Sequence, residues 1–186
     1  MHTLSLFKTD PSDRLAWPHA NQALTLDSPA MDIIADFSIY APYRISSATP
    51  AVNILPLLKQ SHVSAALVTD SHERFCGLIT PQDVSEERLL QIVGRGTARE
   101  DIFAADCMQP RDQLHSVAFD EVQRARIKDV VETLCSYGHQ HCLVTDQKNH
   151  EIRGLISADD IAEFLKLQLD IRSRPTFAEL SRILAA

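Results

Sequence analysis

Two short patterns place a carboxylate three residues after a hydroxyl: Thr80-Pro81-Gln82-Asp83 and Ser157-Ala158-Asp159-Asp160. Each follows a glycine and two apolar residues, Gly77-Leu78-Ile79 in the first and Gly154-Leu155-Ile156 in the second. A hydroxyl donates to a phosphate or ribose oxygen, and a carboxylate accepts from both hydroxyls of a ribose. If such a pair opens a helix, unpaired N–H groups and the positive dipole end add a seat for an anion. The same residues have a structural use. Ser or Thr caps a helix by accepting from a first-turn amide, and an Asp there complements the positive end. The pattern alone serves either use.

The elements that must position these pairs are themselves written twice. Leu67-Val68-Thr69-Asp70 recurs as Leu143-Val144-Thr145-Asp146. Ala66 to Val68 and Cys142 to Val144 are short apolar runs, as in strands buried on both faces. Asp70-Ser71-His72-Glu73 and Asp146-Gln147-Lys148-Asn149 carry turn chemistry. Phe75 to Ile79 and Ile152 to Ile156 read as second strands, each with a glycine where a backbone bends or a partner comes close. Thr80 and Ser157 are then predicted helix caps, with Pro81 at the first helical position. Self-similarity at a fixed period marks one folding unit used twice.

The supporting elements follow. Arg44 to Ser46 is the first strand of the first copy, and Gln113 to Phe119 that of the second. Thr49-Pro50 is expected to start a helix with Val52, Leu55 and Leu58 on one face, and Pro56 to kink it. The matching helix carries Ile127, Val130, Val131 and Leu134 and stops at Gly138. Ser85 to Val93 is helical, ended by Gly94-Arg95-Gly96, and Thr97 to Glu100 forms a capping box. Ile34 to Phe37 is matched with Ala104 to Cys107 as a helical turn before each copy. Met1 to Asp27 reads as an extended arm, with Trp17 either anchoring it or touching a partner, and Thr176 to Leu184 as a terminal helix.

The duplicated pattern, glycine, two apolar residues, Ser or Thr, two residues and Asp after a Val-x-Asp strand end, resembles the tandem CBS domain, or Bateman module. The resemblance covers roughly Ser28 to Leu167. It implies an α/β fold of two pseudo-twofold-related β-α-β-β-α repeats. The domains are then an arm at 1–27, repeats at 28–95 and 96–168, and a C-terminal helix at 169–186. It implies a regulatory module that binds an adenine nucleotide such as AMP, ADP or ATP between the repeats, with pairing of two chains into a homodimer. In that family the Asp holds the ribose, the Ser or Thr lies near ribose and phosphate, and adenine rests between apolar strand residues. The residues so indicated are Thr80 and Asp83 in one cleft, and Ser157 and Asp160 in the other. His141 retains a histidine of the family's stretch before the second strand, with Gln140 replacing the usual Arg. Val63-Ser64-Ala65 retains neither, so the Asp160 cleft is expected to bind better than the Asp83 cleft. Arg44 and Arg111 are further candidate phosphate partners. The alternative is a dimeric scaffold with degenerate clefts that engages an unidentified protein partner.

Composition narrows the remaining classes. A net charge of −7 disfavours a general nucleic-acid or membrane-surface role. At 186 residues and 45% hydrophobic, the chain suits one domain or two small ones. Cys76, Cys107, Cys135 and Cys142 form no C-x-x-C pair and read as buried reduced thiols of a cytoplasmic protein. His139 and His141 would face opposite to Cys142 on a strand, which does not build a zinc site. No signal peptide is visible, and no stretch approaches the ~20 apolar residues a membrane helix needs. No phosphate loop, nucleophile elbow, zinc-protease motif or dinucleotide fingerprint is found, so no enzyme is expected and no required cofactor.

Overall fold

The computed structural model describes residues 24–134 and 140–165, with 176, 178 and 182 as isolated positions. The expectations on Trp17 and most of the arm, on Cys135, Gly138 and His139, and on the terminal helix lie outside the described residues. A 3-10 turn at Ala30–Ile33 leads into β1 (Ile34–Asp36). Then come β2 (Arg44–Ser46), α1 (Ala51–Gln60), β3 (Ala66–Thr69), β4 (Phe75–Ile79) and α2 (Glu86–Val93). The second copy is prefaced by α3 (Ala104–Cys107) and β5 (Gln109–Pro110). It continues with β6 (Ser116–Ala118), α4 (Phe119–Val122), α5 (Ile127–Leu134), β7 (His141–Asp146), β8 (Glu151–Ser157) and α6 (Ala158–Phe164). The fold is thus the predicted β-α-β-β-α unit in two copies. The one-turn α4 absorbs extra chain between β6 and α5.

Each copy lends one strand to the other. The two sheets have the orders β2-β3-β4-β5 and β6-β7-β8-β1. β1 precedes the first repeat yet runs antiparallel to β8, pairing Ala35 with Leu155 and Asp36 with Gly154. β5 precedes the second repeat yet pairs with β4, Gly77 opposite Pro110 and Leu78 opposite Gln109. The exchange explains both glycines. A Cβ on Gly77 would lie 2.3 Å from the Gln109 carbonyl oxygen, and one on Gly154 2.7 Å from Ile34 Cγ2.

The exchange also corrects the match made between the two leading segments. Ala30–Ile33 is equivalent to Ala104–Cys107, not Ile34 to Phe37, so the sequence match was one helical turn out of register. Parallel hydrogen bonds fix this. Ala30 N donates to the Ala125 carbonyl at 3.0 Å, as Ala104 N does to that of Thr49 at 2.8 Å. The shared Ala-Asp pair, Ala35-Asp36 and Ala105-Asp106, drew the match, whereas burial follows Ala30 and Ile33 on one side and Ala104 and Cys107 on the other.

Strand alternation divides the core into three. Ala66, Val68 and Ile79 turn into a cluster with Ile45, Ile54, Leu58 and Leu89. Cys142, Val144 and Ile156 turn into its counterpart with Ile33, Ile127, Val130 and Leu134. Leu67, Leu78 and Leu143 point to the opposite face, where the sheets meet with Ala65, Phe37, Phe75, Ile152 and Leu155. Burial on both faces is why these strands read as unbroken apolar runs. The hairpins close as expected. Asp70 Oδ1 accepts from His72 N at 2.8 Å, and Asp146 Oδ1 from Lys148 N at 2.9 Å.

Several local expectations are corrected. In α1 the buried residues are Ala51, Ile54 and Leu58, while Val52 is 47% exposed. Pro50 itself is the residue before the helix, bridged to Phe103, with no side-chain cap. The helix runs through the exposed Pro56 to Gln60. In the second copy Gln113 belongs to a 3-10 turn and Phe119 to α4, so only Ser116–Ala118 is strand. Ala98, not Thr97, precedes a 3-10 turn at Arg99–Asp101.

Candidate functional site

Ser157 ends β8 and is fully buried. Its Oγ accepts from Asp160 N at 3.4 Å, the cap its sequence predicted for α6. Ala158 N donates to the Gln140 carbonyl at 2.9 Å, which ties the start of α6 to the chain entering β7. This geometry leaves the half-buried Asp160 lining a crevice between the copies.

The crevice has a volume of about 240 Å³. Leu67 and Leu78 from the first sheet and Leu155 from the second supply apolar floor. Phe37 and the run Tyr40-Ala41-Pro42-Tyr43, which crosses from one sheet to the other, form one wall. The turn His62-Val63-Ser64-Ala65, between α1 and β3, lines the crevice as well. Asp160 of the second copy therefore shares its crevice with the strand-entry turn of the first. His62 holds a left-handed backbone, φ 52°. In sequence, aligning Leu67 with Leu143 sets His62 against Gly138.

The Thr80 pair is built differently from its sequence twin. No helix begins at Thr80, and α2 starts after Ser85, whose Oγ accepts from Arg88 N at 3.3 Å. Glu86 and Glu87 in the first turn make Ser85 the better start. Thr80 and Asp83 instead bond to each other. Thr80 N and Oγ1 both donate to Asp83 Oδ2 at 2.8 Å, and the Gln109 side chain also bonds the carboxylate. Burial pushes the Asp83 carboxyl above the ordinary carboxylate value, and the Thr80 bonds pull back against it. This acid spends acceptor capacity inside the protein.

The remaining candidates are dispersed. His141 is buried at the start of β7, in register with Ser157, and is not among the residues lining the Asp160 crevice. Arg44 lies in an adjoining open groove with Ser46, Thr69 and Glu73, 3.7 Å from the Glu73 carboxylate. Arg111 sits exposed in the 3-10 turn after β5. Phe37, Tyr40, Tyr43 and His62 were not singled out from the sequence. The signal for His62 was its alignment with a glycine; the crossing-segment aromatics carried none, because their place depends on which sheet receives β1. Burial pushes the Cys107 thiol up to about 11 and that of Cys142 to about 12, so both are poor nucleophiles.

Residues 34–89 match the CBS-domain family model. A conserved protein from Pyrococcus horikoshii shares the fold at 14% identity and TM-score 0.56, over 79% of this chain and 98% of that one. CBSX2, solved in complex with AMP, matches at 16% identity and TM-score 0.52, over 73% and 94%. The chain has the fold of a CBS-domain pair. A further CBS-domain pair, solved with 5′-methylthioadenosine and S-adenosyl-L-methionine, matches this one at 14% identity and TM-score 0.50, over 73% and 98%. No curated protein sequence matches this chain. Among its described residues no helix is long and apolar enough to cross a membrane.

Proposed function

We propose that this CBS pair is a regulatory sensor that binds an adenine nucleoside or nucleotide in the Asp160 crevice and relays occupancy to a protein partner. One observation carries the reading. The apolar crevice, about 240 Å³ in volume, brings two sheets and their crossing segment around the Asp160 carboxylate. Such a site suits a flat apolar base with a diol at one end, the base against Leu67, Leu78 and Leu155 and the diol on Asp160. Two fold neighbours were solved with adenine ligands, AMP in one and methylthioadenosine with S-adenosylmethionine in the other. Because the walls come from both repeats, a bound ligand favours one relative placement of the repeats, and a partner or a second copy of the chain reads the difference. The role is regulatory, with no reaction at the site.

Calorimetric titration with AMP, ADP, ATP and S-adenosylmethionine tests this directly. Binding is expected, and Asp160→Ala weakens it by about tenfold or more, the loss of one charge-assisted hydrogen-bonding group. Asp83→Ala weakens it less, since Asp83 is held by Thr80. Silence from all four at millimolar concentration favours a dimeric scaffold, and the reverse order of the two variants refutes the choice of crevice.

A further inference from the structure

Resting on the reading above, we infer that Asp83 belongs to a latent second ligand site, held shut from within by Gln109, and that Ala35 at the equivalent position leaves the Asp160 crevice open. The exchanged strands fix the equivalence. Gln109 of β5 stands opposite Leu78, and Ala35 of β1 opposite Leu155. The next pair along is Pro110 with Gly77 in one sheet and Asp36 with Gly154 in the other. Directly opposed residues of an antiparallel pair share a face. Leu78 and Leu155 both belong to the cluster where the sheets meet, so Gln109 and Ala35 are turned to that junction too. Ala35 lines the Asp160 crevice. A methyl carries no donor, so position 35 takes none of the acceptor capacity of Asp160.

In the other copy the same position carries an amide, and it bonds the Asp83 carboxylate. Thr80 N and Oγ1 already donate to Asp83 Oδ2, each at 2.8 Å. With Gln109 these bonds fill three of the roughly four acceptor positions of a carboxylate. A ribose diol donates twice and needs two. Gln109 therefore stands in for one hydroxyl of a ligand. Removing it returns the second position, while the local bonds from Thr80 stay in place.

Titration calorimetry of the full chain with adenosine, AMP and S-adenosylmethionine reads the number of sites. The unmodified chain is expected to bind one ligand, and Gln109→Ala two. Adding Asp83→Ala to Gln109→Ala returns the count to one. In the converse variant, Ala35→Gln puts a donor and extra volume into the Asp160 crevice, and affinity there falls by about tenfold or more. Circular dichroism checks the fold of each variant, and Gln109→Ser takes the place of Gln109→Ala should that chain fail to fold. Two ligands on the unmodified chain overturn the inference and leave the sensor reading standing. A count of one in the folded Gln109 variant does the same. Binding that appears only in the Gln109 variant upholds the latent site and removes the Asp160 crevice as the sensor. Silence from every chain overturns both.

Discussion

Asp36 and Asp83 are carboxylates of opposite electrostatic character. Asp36 is 8% exposed; its Oδ1 accepts from Ser38 N at 2.8 Å and Ser38 Oγ at 2.7 Å, and lies 3.6 Å from Arg153. The Ser38 bonds hold its carboxyl below the ordinary value of 3.8, outweighing burial, with Arg153 assisting. A depressed folded value means the contribution is fully present above the unfolded value and is lost as pH falls through the folded one. Asp36→Asn is therefore expected to lose about 1–3 kcal/mol at pH 7 by urea denaturation, a deficit that shrinks below about pH 4. A deficit independent of pH would show that shape rather than charge matters at Asp36. For Asp83 the sign reverses. Burial raises its folded value, so ionising it costs stability as pH rises through that window. Asp83→Asn should lose less than Asp36→Asn at pH 7, and the same two curves decide it. The sequence identified both members of each hydroxyl–acid pair and Ser157 as the cap of α6, but not that Thr80 would bond Asp83 instead of capping a helix. That difference turns on Ser85, which offers the first copy a later helix start.

The decisive elements are the exchanged strands. β1 closes the sheet of the second repeat and β5 that of the first, and each passes a glycine too closely for a side chain. A methyl on Gly77 meets backbone, the Gln109 carbonyl oxygen at 2.3 Å, whereas one on Gly154 first meets the Ile34 side chain at 2.7 Å and the Ala35 carbonyl oxygen at 2.9 Å. Overpacking of this kind costs about 1–3 kcal/mol. Gly77→Ala is expected at the upper end, Gly154→Ala slightly lower because a side chain can yield, both read from denaturation midpoints. Gly77→Ala should also speed amide exchange across β4 and β5 while sparing β7; uniform acceleration would contradict a local role. Arg153 adds a tie on the other side. It reaches Ser38 at 3.0 Å and stacks 4.4 Å over Phe119, joining β1, β8 and α4. The strands β3, β4, β7 and β8 were legible from their apolar runs, and β2 only from its place in the repeated unit. β1 and β5 were not, since three- and two-residue strands carry no periodicity of their own.

At the scale of the molecule, neither repeat is complete without the other. The core of the second repeat includes Ala30 and Ile33, and that of the first Ile102, Ala104 and Cys107. A fragment spanning 97–165 lacks β1 and exposes the edge of β8, an unpaired ladder beside an open core. It is expected to show no cooperative unfolding by circular dichroism, and to regain it when a peptide covering 24–43 is added. Cooperative unfolding of the fragment alone would mean the exchange is dispensable. The same interdependence couples the crevice to the whole chain, because its wall from Phe37 to Tyr43 is the segment that carries the chain from one sheet to the other.

The sequence by itself determined the duplication, the apolar strands, their turns and the two hydroxyl–acid pairs, all properties carried within a few neighbouring residues. It also determined the buried face of α5, because a spacing of three and four residues needs no distant partner. Only the tertiary structure decided which sheet each short strand joins, that Asp160 faces His62 to Leu67 of the other copy rather than His141, and that Thr80 and Asp83 bond each other. Those outcomes depend on contacts between residues far apart in the chain, and local pattern does not encode which of two near-identical partners a segment meets.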